Sequence, residues 1–403
     1  VKYIVLESLP QVLIEQGILQ GTYLTSTNGR KFAAFQGVPY AQPPTGKFRF
    51  KDPAPPNPWV GIWNASEPGS VCLQNMEIPT YFKYTNDHYT SHIQTPIAGD
   101  EDCLFINIYT SKVYFPMNFI MKIFIHGGCF MHGHGSWYGP RHIMDRDLVY
   151  VTFNYRVGPL GFLSTEDEVV PGNMGLKDQS AALHWIQKNI AAFGGNPNSV
   201  TLAGNSAGAA SVHFHYLSPM SKGTFHRGMS LSGSAFCPWV QMEEGKAKAE
   251  QLAAALGCTT KTTKEMVKCL RKRPAYKITQ QIKNFKGWLH SPFSPFGFIV
   301  EKAGISPFLN KLPKDVILNG EAQNIPWIAS VTTEEGLYPV ADFITKKNLL
   351  QELEDRFQEI APYLLHYNYT VVKDKKKEVA DKIRSFYLKG KPISPETVKE
   401  IIQ

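Results

Sequence analysis

Residues 200–213 read VTLAGNSAGAASVH, and this stretch decides the fold. Its first four residues have the apolar, β-branched character of a buried strand, and its last five are compatible with a helix. Gly204 and Gly208 flank Ser206 two residues away on each side, which predicts a turn sharp enough to hold the serine in a strained conformation. The amide dipoles of the following helix would favour negative charge beside the serine. G-x-S-x-G alone is weak evidence, since a glycine-rich turn with an inert serine gives the same pattern.

A second glycine turn, HGGCF at residues 126–130, strengthens this interpretation. It follows the strand-like run IFI and is similar to an HGG-type oxyanion loop. The predicted donors to an oxyanion are the main-chain N–H groups of Gly128, Cys129 and Ala207. Each such donor contributes about 3 kcal/mol of transition-state stabilisation. Together the two turns predict acyl transfer with Ser206 as the nucleophile.

Strand and helix patterns alternate through the middle of the chain. This alternation predicts a mostly parallel sheet with helices on both faces, hence an α/β fold. The residues up to about 63 have short runs and turns typical of antiparallel strands, and residues 64–100 are predicted to form a long surface loop. The predicted strands are 104–109, 121–125, 148–154, 199–203 and 325–331, and the predicted helices are 179–193, 247–256, 264–272, 347–360 and 372–388.

Composition narrows the class of partner. Of 403 residues, 43% are apolar and 19% are charged, as in an ordinary globular protein, and the formal net charge is +8. Basic residues are scattered and no nucleic-acid-binding motif occurs, so we expect no nucleic-acid partner. The sequence contains no run of about 18 apolar residues, so we expect no transmembrane segment. No cysteine spacing suits zinc, and we expect neither a metal nor a cofactor.

Four further motifs carry a family resemblance. They are FQGVPYA at residues 35–41, EDCLFIN at 101–107, NYRVGPLGF at 154–162 and GNMGLKDQ at 172–179. With the nucleophile turn, in this order, they resemble the type-B carboxylesterase family, which also contains the cholinesterases. The region 216–239 looks most like insect esterases. The resemblance runs from about residue 10 to the end. It implies an α/β-hydrolase fold, a single domain over residues 1–403, a serine nucleophile and small-molecule esters as substrates.

The resemblance also implies two disulfide bonds, Cys72 with Cys103 and Cys258 with Cys269. Disulfides would place the protein in an oxidising compartment, and the sequons at Asn64 and Asn368 agree with secretion and glycosylation. The alternative from the residues alone is that all six cysteines are reduced and lie in the core. No signal peptide is evident in the chain as given.

The acid member of the family's catalytic triad matches Glu335, in the segment TTEEG at residues 332–336. Glu334 lies one residue early for that role. The alternative is an ordinary pair of surface glutamates. A glutamate following the serine in the chain agrees with the order of triad residues in α/β-hydrolases.

Three positions depart from the family pattern. Asn205 stands where the family usually has glutamate. Cys129 stands at the third glycine of the oxyanion loop, so its N–H is retained but its thiol would narrow the acyl site. The triad histidine is not evident, since the only later histidine, His366, is too near and lacks the family context. We expect His366 not to be the base, and His126, His213 and His215 to be structural.

These departures leave two hypotheses for function. The first is a carboxylic ester hydrolase, generalist or detoxifying. The second is a catalytically inactive, esterase-like binding or adhesion protein. We expect the chain to be incomplete at its C-terminus, as a fragment, short isoform or faulty gene model, with little turnover of its own.

Overall fold

The computed structural model describes residues 8–76, 97–111, 119–341, 343–368 and 370–402. Its strands are β1 (Gln11–Ile14), β2 (Gly17–Gln20), β3 (Thr22–Thr25), β4 (Lys31–Pro39), β5 (Ile62–Asn64), β6 (Gln74–Asn75), β7 (Ile97–Ala98), β8 (Phe105–Thr110), β9 (Phe119–Ile125), β10 (Val149–Phe153), β11 (Gly195–Asn205), β12 (Arg227–Leu231) and β13 (Trp327–Ser330).

Helices follow from β10 onward. They are α1 (Gly158–Phe162), α2 (Met174–Asn189), α3 (Ala207–Leu217), α4 (Gly245–Ala255), α5 (Thr263–Leu270), α6 (Ala275–Gln280), α7 (Pro313–Leu318), α8 (Leu337–Val340), α9 (Lys347–Asp355), α10 (Phe357–Leu364), α11 (Lys376–Leu388) and α12 (Val398–Ile402). In the described part of the chain, no helix is both long and apolar enough to cross a bilayer.

A central mixed sheet organises these elements, with the strand order β13-β12-β11-β9-β10-β8-β4-β3. Each neighbouring pair from β13 to β10 is parallel, and each pair from β10 to β3 is antiparallel. The predicted α/β class with a mostly parallel sheet is therefore confirmed. Of the strands before residue 63, β3 and β4 form its other edge, whereas β1, β2 and β5 form a separate sheet in which β2 and β5 are parallel, so the prediction of only antiparallel strands there is wrong for that pair. The parallel strands β9 and β10 are rich in buried apolar residues because helices cover both faces of such a sheet.

Register places the two predicted catalytic turns side by side. In the β11–β9 pair, Gly204 lies opposite Ile125, so both strands end at the same edge of the sheet. The nucleophile turn follows β11 directly and the oxyanion loop follows β9. Ligands of open α/β sheets bind at this carboxyl edge. The helix after the turn, α3, is buried along its entire length, which anchors the turn in the core.

The C-terminal helices form a separate apolar cluster. Its buried members include Phe343, Leu353, Ile360, Ala380 and Ile393. The predicted helix 347–360 is wrong as a single element, because the backbone leaves helical geometry at Arg356 (φ −119°, ψ 24°) between α9 and α10. Both helices direct their apolar residues into the cluster, and the apolar spacing runs through the break, so periodicity gives no sign of it.

Two disulfide bonds join Cys72 to Cys103 and Cys258 to Cys269. These are the pairs that the family resemblance implies, and the alternative of six reduced cysteines is wrong. Cys129 and Cys237 are free thiols. The predicted loop 64–100 lies partly outside the described residues, and its described ends pair as the short strands β6 and β7.

Candidate active site

The nucleophile turn holds Ser206 in an unusual backbone conformation. Its φ of 56° and ψ of −120° lie outside the regions that most residues adopt, at a cost of about 1–3 kcal/mol. The hydrogen bond from the Ser206 N–H to the Leu231 carbonyl, 2.9 Å, holds the strained residue against the end of β12. Both flanking glycines are required by space. A Cβ at Gly204 would lie 2.3 Å from the Gly208 carbonyl oxygen, and one at Gly208 would lie 2.1 Å from that of Ile125.

The oxyanion loop packs directly against this turn. A Cβ at Gly127 would approach the Asn205 carbonyl oxygen to 2.7 Å and the Ser206 Cβ to 3.0 Å. The next two residues, Gly128 and Cys129, have φ values of 111° and 58°. The non-glycine residue at position 129 is thus accommodated in the left-handed region, where a cysteine is uncommon.

The three predicted oxyanion donors are available. Among the described residues, the N–H groups of Gly128, Cys129 and Ala207 donate no hydrogen bond. Ala207 is the first residue of α3, where N–H groups have no acceptor within the helix. Unpaired main-chain N–H groups beside a serine form an environment that stabilises a developing oxyanion.

The side chain of Asn205 hydrogen-bonds the nucleophile turn to neighbouring residues. Its side-chain amide donates to the Leu231 carbonyl, 3.1 Å, and its Oδ1 accepts a long hydrogen bond from the Tyr138 hydroxyl, 3.5 Å. The neutral amide therefore fills the position of the family glutamate with hydrogen bonds of its own.

The carboxylate of Glu335 lies in the same cavity as Ser206. Its Oε1 accepts a hydrogen bond from the Thr332 N–H, 2.7 Å. Partial burial raises the pKa of Glu335, but hydrogen bonds from the Thr332 N–H and from the Ser232 and Thr332 hydroxyls outweigh burial. The net pKa is lower than usual, so this carboxylate stays ionised at neutral pH. Glu334 and Glu335 are both exposed, but of the two only Glu335 lines the cavity.

A cavity of about 620 Å³ opens over the serine, which is a typical volume for a small-molecule site. Its walls combine aromatic side chains with the predicted catalytic groups. They comprise Met76, Gly128, Cys129, His132, Trp137, Tyr138, Asn205, Ser206, Ser232, Trp239, Phe293, Glu335, Gly336, Tyr338, Pro339, Leu364 and His366.

Two histidines, His132 and His366, line this cavity. Burial lowers the pKa of each ring to about 4, so both are neutral at pH 7. The His366 ring lies 4.4 Å from the Phe293 ring, centroid to centroid, and its Nε2 is buried with no hydrogen-bond partner among the described residues. Sequence reasoning missed both as wall residues, since neither has a local pattern that marks it. No described histidine hydrogen-bonds to the Ser206 hydroxyl or to the Glu335 carboxylate.

The remaining histidines near the turn are buried. His126 contacts the Gly127 carbonyl through Nδ1, 2.8 Å, and stacks on Tyr155. His215 hydrogen-bonds to Ser221 and Gln179, and His213 accepts a hydrogen bond from the Ala235 N–H. These contacts are those of core residues.

Known proteins resemble this chain in sequence over almost its full length. The model of the carboxylesterase family matches residues 8–403. The chain belongs to the carboxylesterase family. It is 46% identical to venom carboxylesterase-6 of Apis mellifera over 402 residues, which cover 98% of this chain and 70% of that protein. It is 45% identical to esterase FE4 of Myzus persicae, covering 96% of this chain and 66% of that protein.

A solved esterase shares the fold. Juvenile hormone esterase from Manduca sexta, with OTFP covalently attached, superposes with a TM-score of 0.82 at 27% identity, covering 98% of this chain and 72% of that one. The α/β-hydrolase fold is thus shared with a solved esterase, and the two relatives are named for carboxylic ester hydrolysis.

The two sequons differ in environment. Asn64 is exposed at the end of β5. Asn368 is half-buried, and its Oδ1 accepts a hydrogen bond from the Lys376 ammonium at 2.9 Å. Tyr369, in the second sequon, lies outside the described residues.

Proposed function

We propose that this carboxylesterase cleaves small carboxylic esters through an acyl-enzyme on Ser206. The Ser206 Oγ attacks the carbonyl carbon and passes its proton to water or to an imidazole, which later protonates the leaving alkoxide, and the carbonyl electron pair moves onto oxygen. The N–H groups of Gly128, Cys129 and Ala207 hold the resulting oxyanion. Collapse expels the alcohol, and water then attacks the acyl-enzyme, releasing the acid and restoring the serine.

One observation carries this proposal: three unpaired N–H groups lie around a strained serine at a cavity of about 620 Å³. A glycine-rich turn without function would not need the strain at Ser206. Strained conformations of this kind persist where the surrounding structure over-determines them, and they cluster at active sites.

The proton acceptor is the incomplete part of the site. Glu335, ionised and hydrogen-bonded through Thr332, is proposed to orient an imidazole, and no described histidine is among its hydrogen-bond partners. A triad without its base retains about 10³–10⁴-fold catalysis over water, from the oxyanion hole and binding. We therefore expect slow turnover by the 403-residue polypeptide.

Chemical rescue tests this arrangement. Free imidazole, added to the 403-residue polypeptide with 4-nitrophenyl acetate, should raise the rate beyond the reaction of imidazole alone. S206A should abolish this increment, whereas S234A, at a nearby serine outside the cavity wall, should retain it. An equal increment in wild type and S206A would contradict Ser206 as the nucleophile.

We further propose a generalist or detoxifying role for a secreted esterase. The size of the cavity and its aromatic walls suit varied apolar esters. Two disulfide bonds and an exposed sequon at Asn64 support an oxidising, secretory environment. Expression in insect cells tests secretion and glycosylation: the protein should be recovered from the medium with a glycan, and N64Q should lose the mass of that glycan. Secretion without any glycan at Asn64 would contradict its glycosylation.

A further inference from the structure

A small side chamber adjoins the main cavity behind the oxyanion loop. Its volume is about 50 Å³, against about 620 Å³ for the cavity at Ser206. The chamber's own walls are formed by two apolar side chains, Met131 and Ile282, and three polar ones, Asn75, Lys286 and His290. Four residues line both spaces, namely Cys129, His132, Phe293 and Tyr338. These shared residues therefore border both volumes, and closure between them is the point of the proposal below.

Cys129 and Tyr338 meet within this partition. The Cys129 Sγ lies 3.5 Å from the Tyr338 hydroxyl, within contact distance. Cys129 and Tyr338 each make a further contact that fixes their position. The Ser294 hydroxyl donates to the Cys129 carbonyl, 2.8 Å, and the Tyr338 ring packs edge-on against Phe293 with centroids 5.5 Å apart. The thiol is buried, so its sulfur occupies space that a glycine would leave empty.

We propose that the side chains of Cys129 and Tyr338 close the side chamber and thereby limit the length of the acyl chain that this esterase accepts. The inference rests on the proposed function and specifies its substrates as esters of short carboxylic acids. The acyl chain is the relevant substituent because the acyl group becomes bonded to Ser206 in the first half-reaction and stays so until water releases it in the second, whereas the alcohol leaves after the first.

The size of the chamber sets the expected effect. A volume of about 50 Å³ accommodates roughly three groups the size of a water molecule. Removing the sulfur would connect this space to the cavity and give room for about that many additional methylenes. One methylene bound in an apolar pocket changes kcat/KM by about 10-fold or more.

The test compares Cys129→Gly with the near-isosteric Cys129→Ser on 4-nitrophenyl acetate, butyrate, hexanoate and octanoate. The ratio of kcat/KM for hexanoate to that for acetate should rise at least ~10-fold in C129G, while C129S should keep the wild-type ratio. Glycine also suits the left-handed backbone at this position, so C129G should fold. Y338A, which opens the partition from the other side, should shift the ratio in the same direction. A ratio within twofold of wild type in both C129G and Y338A would overturn the proposal.

A binding measurement separates this inference from the proposed function. The 4-nitroanilides of the same acids are amide analogues, and their binding can be followed by quenching of Trp137 and Trp239, which line the cavity. C129G should bind the hexanoyl anilide at least ~10-fold more tightly than wild type, with the acetyl anilide unchanged. Loss of ester turnover in wild type would count against the proposed function alone. Equal gains for both anilides would contradict the partition.

Discussion

Gly127 is the residue on which the oxyanion loop and the nucleophile turn meet. A Cβ there would lie 2.7 Å from the Asn205 carbonyl oxygen, a backbone atom that cannot yield without moving the turn. We predict that G127A lowers ester hydrolysis by at least ~10-fold and destabilises the fold by about 1–3 kcal/mol. Urea unfolding and steady-state hydrolysis measure the two effects.

The matched control is G139A. A Cβ at Gly139 would meet no atom within 4 Å, and its backbone is not left-handed. Stability should therefore change by less than about 0.5 kcal/mol, with hydrolysis unchanged. Equal behaviour of G127A and G139A would show that close packing of the two turns is not needed.

At the residue scale, the sequence predicted those features that depend on a few neighbouring residues, such as the two glycine turns. Ser206 is predicted from the glycine spacing of its turn, Gly128 from the similarity of residues 126–130 to an HGG-type oxyanion loop, and Ala207 from its place beside the nucleophile. Only glycine allows the backbones of these turns to pass so closely. The cavity-wall position of His366 had no such signal. It lies 160 residues from the serine in the chain and reaches the cavity only through packing of the C-terminal helices, which a single sequence does not encode locally.

Among the elements, β13 is the exposed edge of the parallel half of the sheet. All of its residues are exposed, with Ile328 at 61%. Parallel strands are normally covered on both faces, so this edge presents apolar surface. We predict that I328T lowers binding of the dye ANS without lowering stability by more than about 0.5 kcal/mol.

Leu318 at the end of α7 supplies the comparison for β13. Its side chain is 72% exposed, but it lies on a helix rather than at a sheet edge. L318T should reduce ANS binding less than I328T does. A larger decrease in ANS binding in L318T than in I328T would show that the main exposed apolar surface does not lie at β13.

The two disulfide bonds should differ in their contribution to stability. Cys72 and Cys103 are 31 residues apart, and Cys258 and Cys269 are 11 apart. Loop-closure entropy gives about 3.7 and about 2.8 kcal/mol respectively. The C72S/C103S double variant should therefore unfold at lower urea concentration than C258S/C269S. The reverse order would show that effects in the folded state outweigh those of the unfolded chain.

Element prediction succeeded where one period dominates. The strands β8 to β10 lie within two residues of their predicted bounds. The helix α2 was predicted as an element, but it begins five residues before the predicted 179 and ends four residues before the predicted 193. The break between α9 and α10 was missed because the apolar stripe continues through Arg356. Propensity and periodicity describe which face is buried, and they do not report a local change of direction.

The whole molecule buries histidines that should make it sensitive to acid. Within the described residues, burial lowers the pKa of six imidazoles to about 3–4: His126, His132, His134, His213, His215 and His366. An unfolded histidine binds its proton near pH 6.5. Between pH 6.5 and about 4 the unfolded chain therefore binds more protons, and stability is lost as pH falls. Each histidine contributes a slope of about 1.4 kcal/mol per pH unit within that window.

Urea unfolding from pH 7.5 to pH 5 measures this dependence. H366N should reduce the apparent proton uptake on unfolding by about one, since asparagine does not titrate and tolerates the left-handed backbone at position 366. H142N, at an exposed histidine, is the control. A flat profile, or equal slopes for H366N and wild type, would contradict the burial of neutral imidazoles.

The proposed catalysis requires that Ser206 is a nucleophile and that the oxyanion it generates lies beside the N–H groups of residues 128, 129 and 207. The most direct measurement is covalent labelling with a fluorophosphonate probe, followed by peptide mass spectrometry. We predict a single modified peptide, with the label on Ser206, absent in S206A and formed faster when imidazole is added. Labelling of wild type no greater than that of S206A would contradict the account and favour a non-catalytic, esterase-like binding protein.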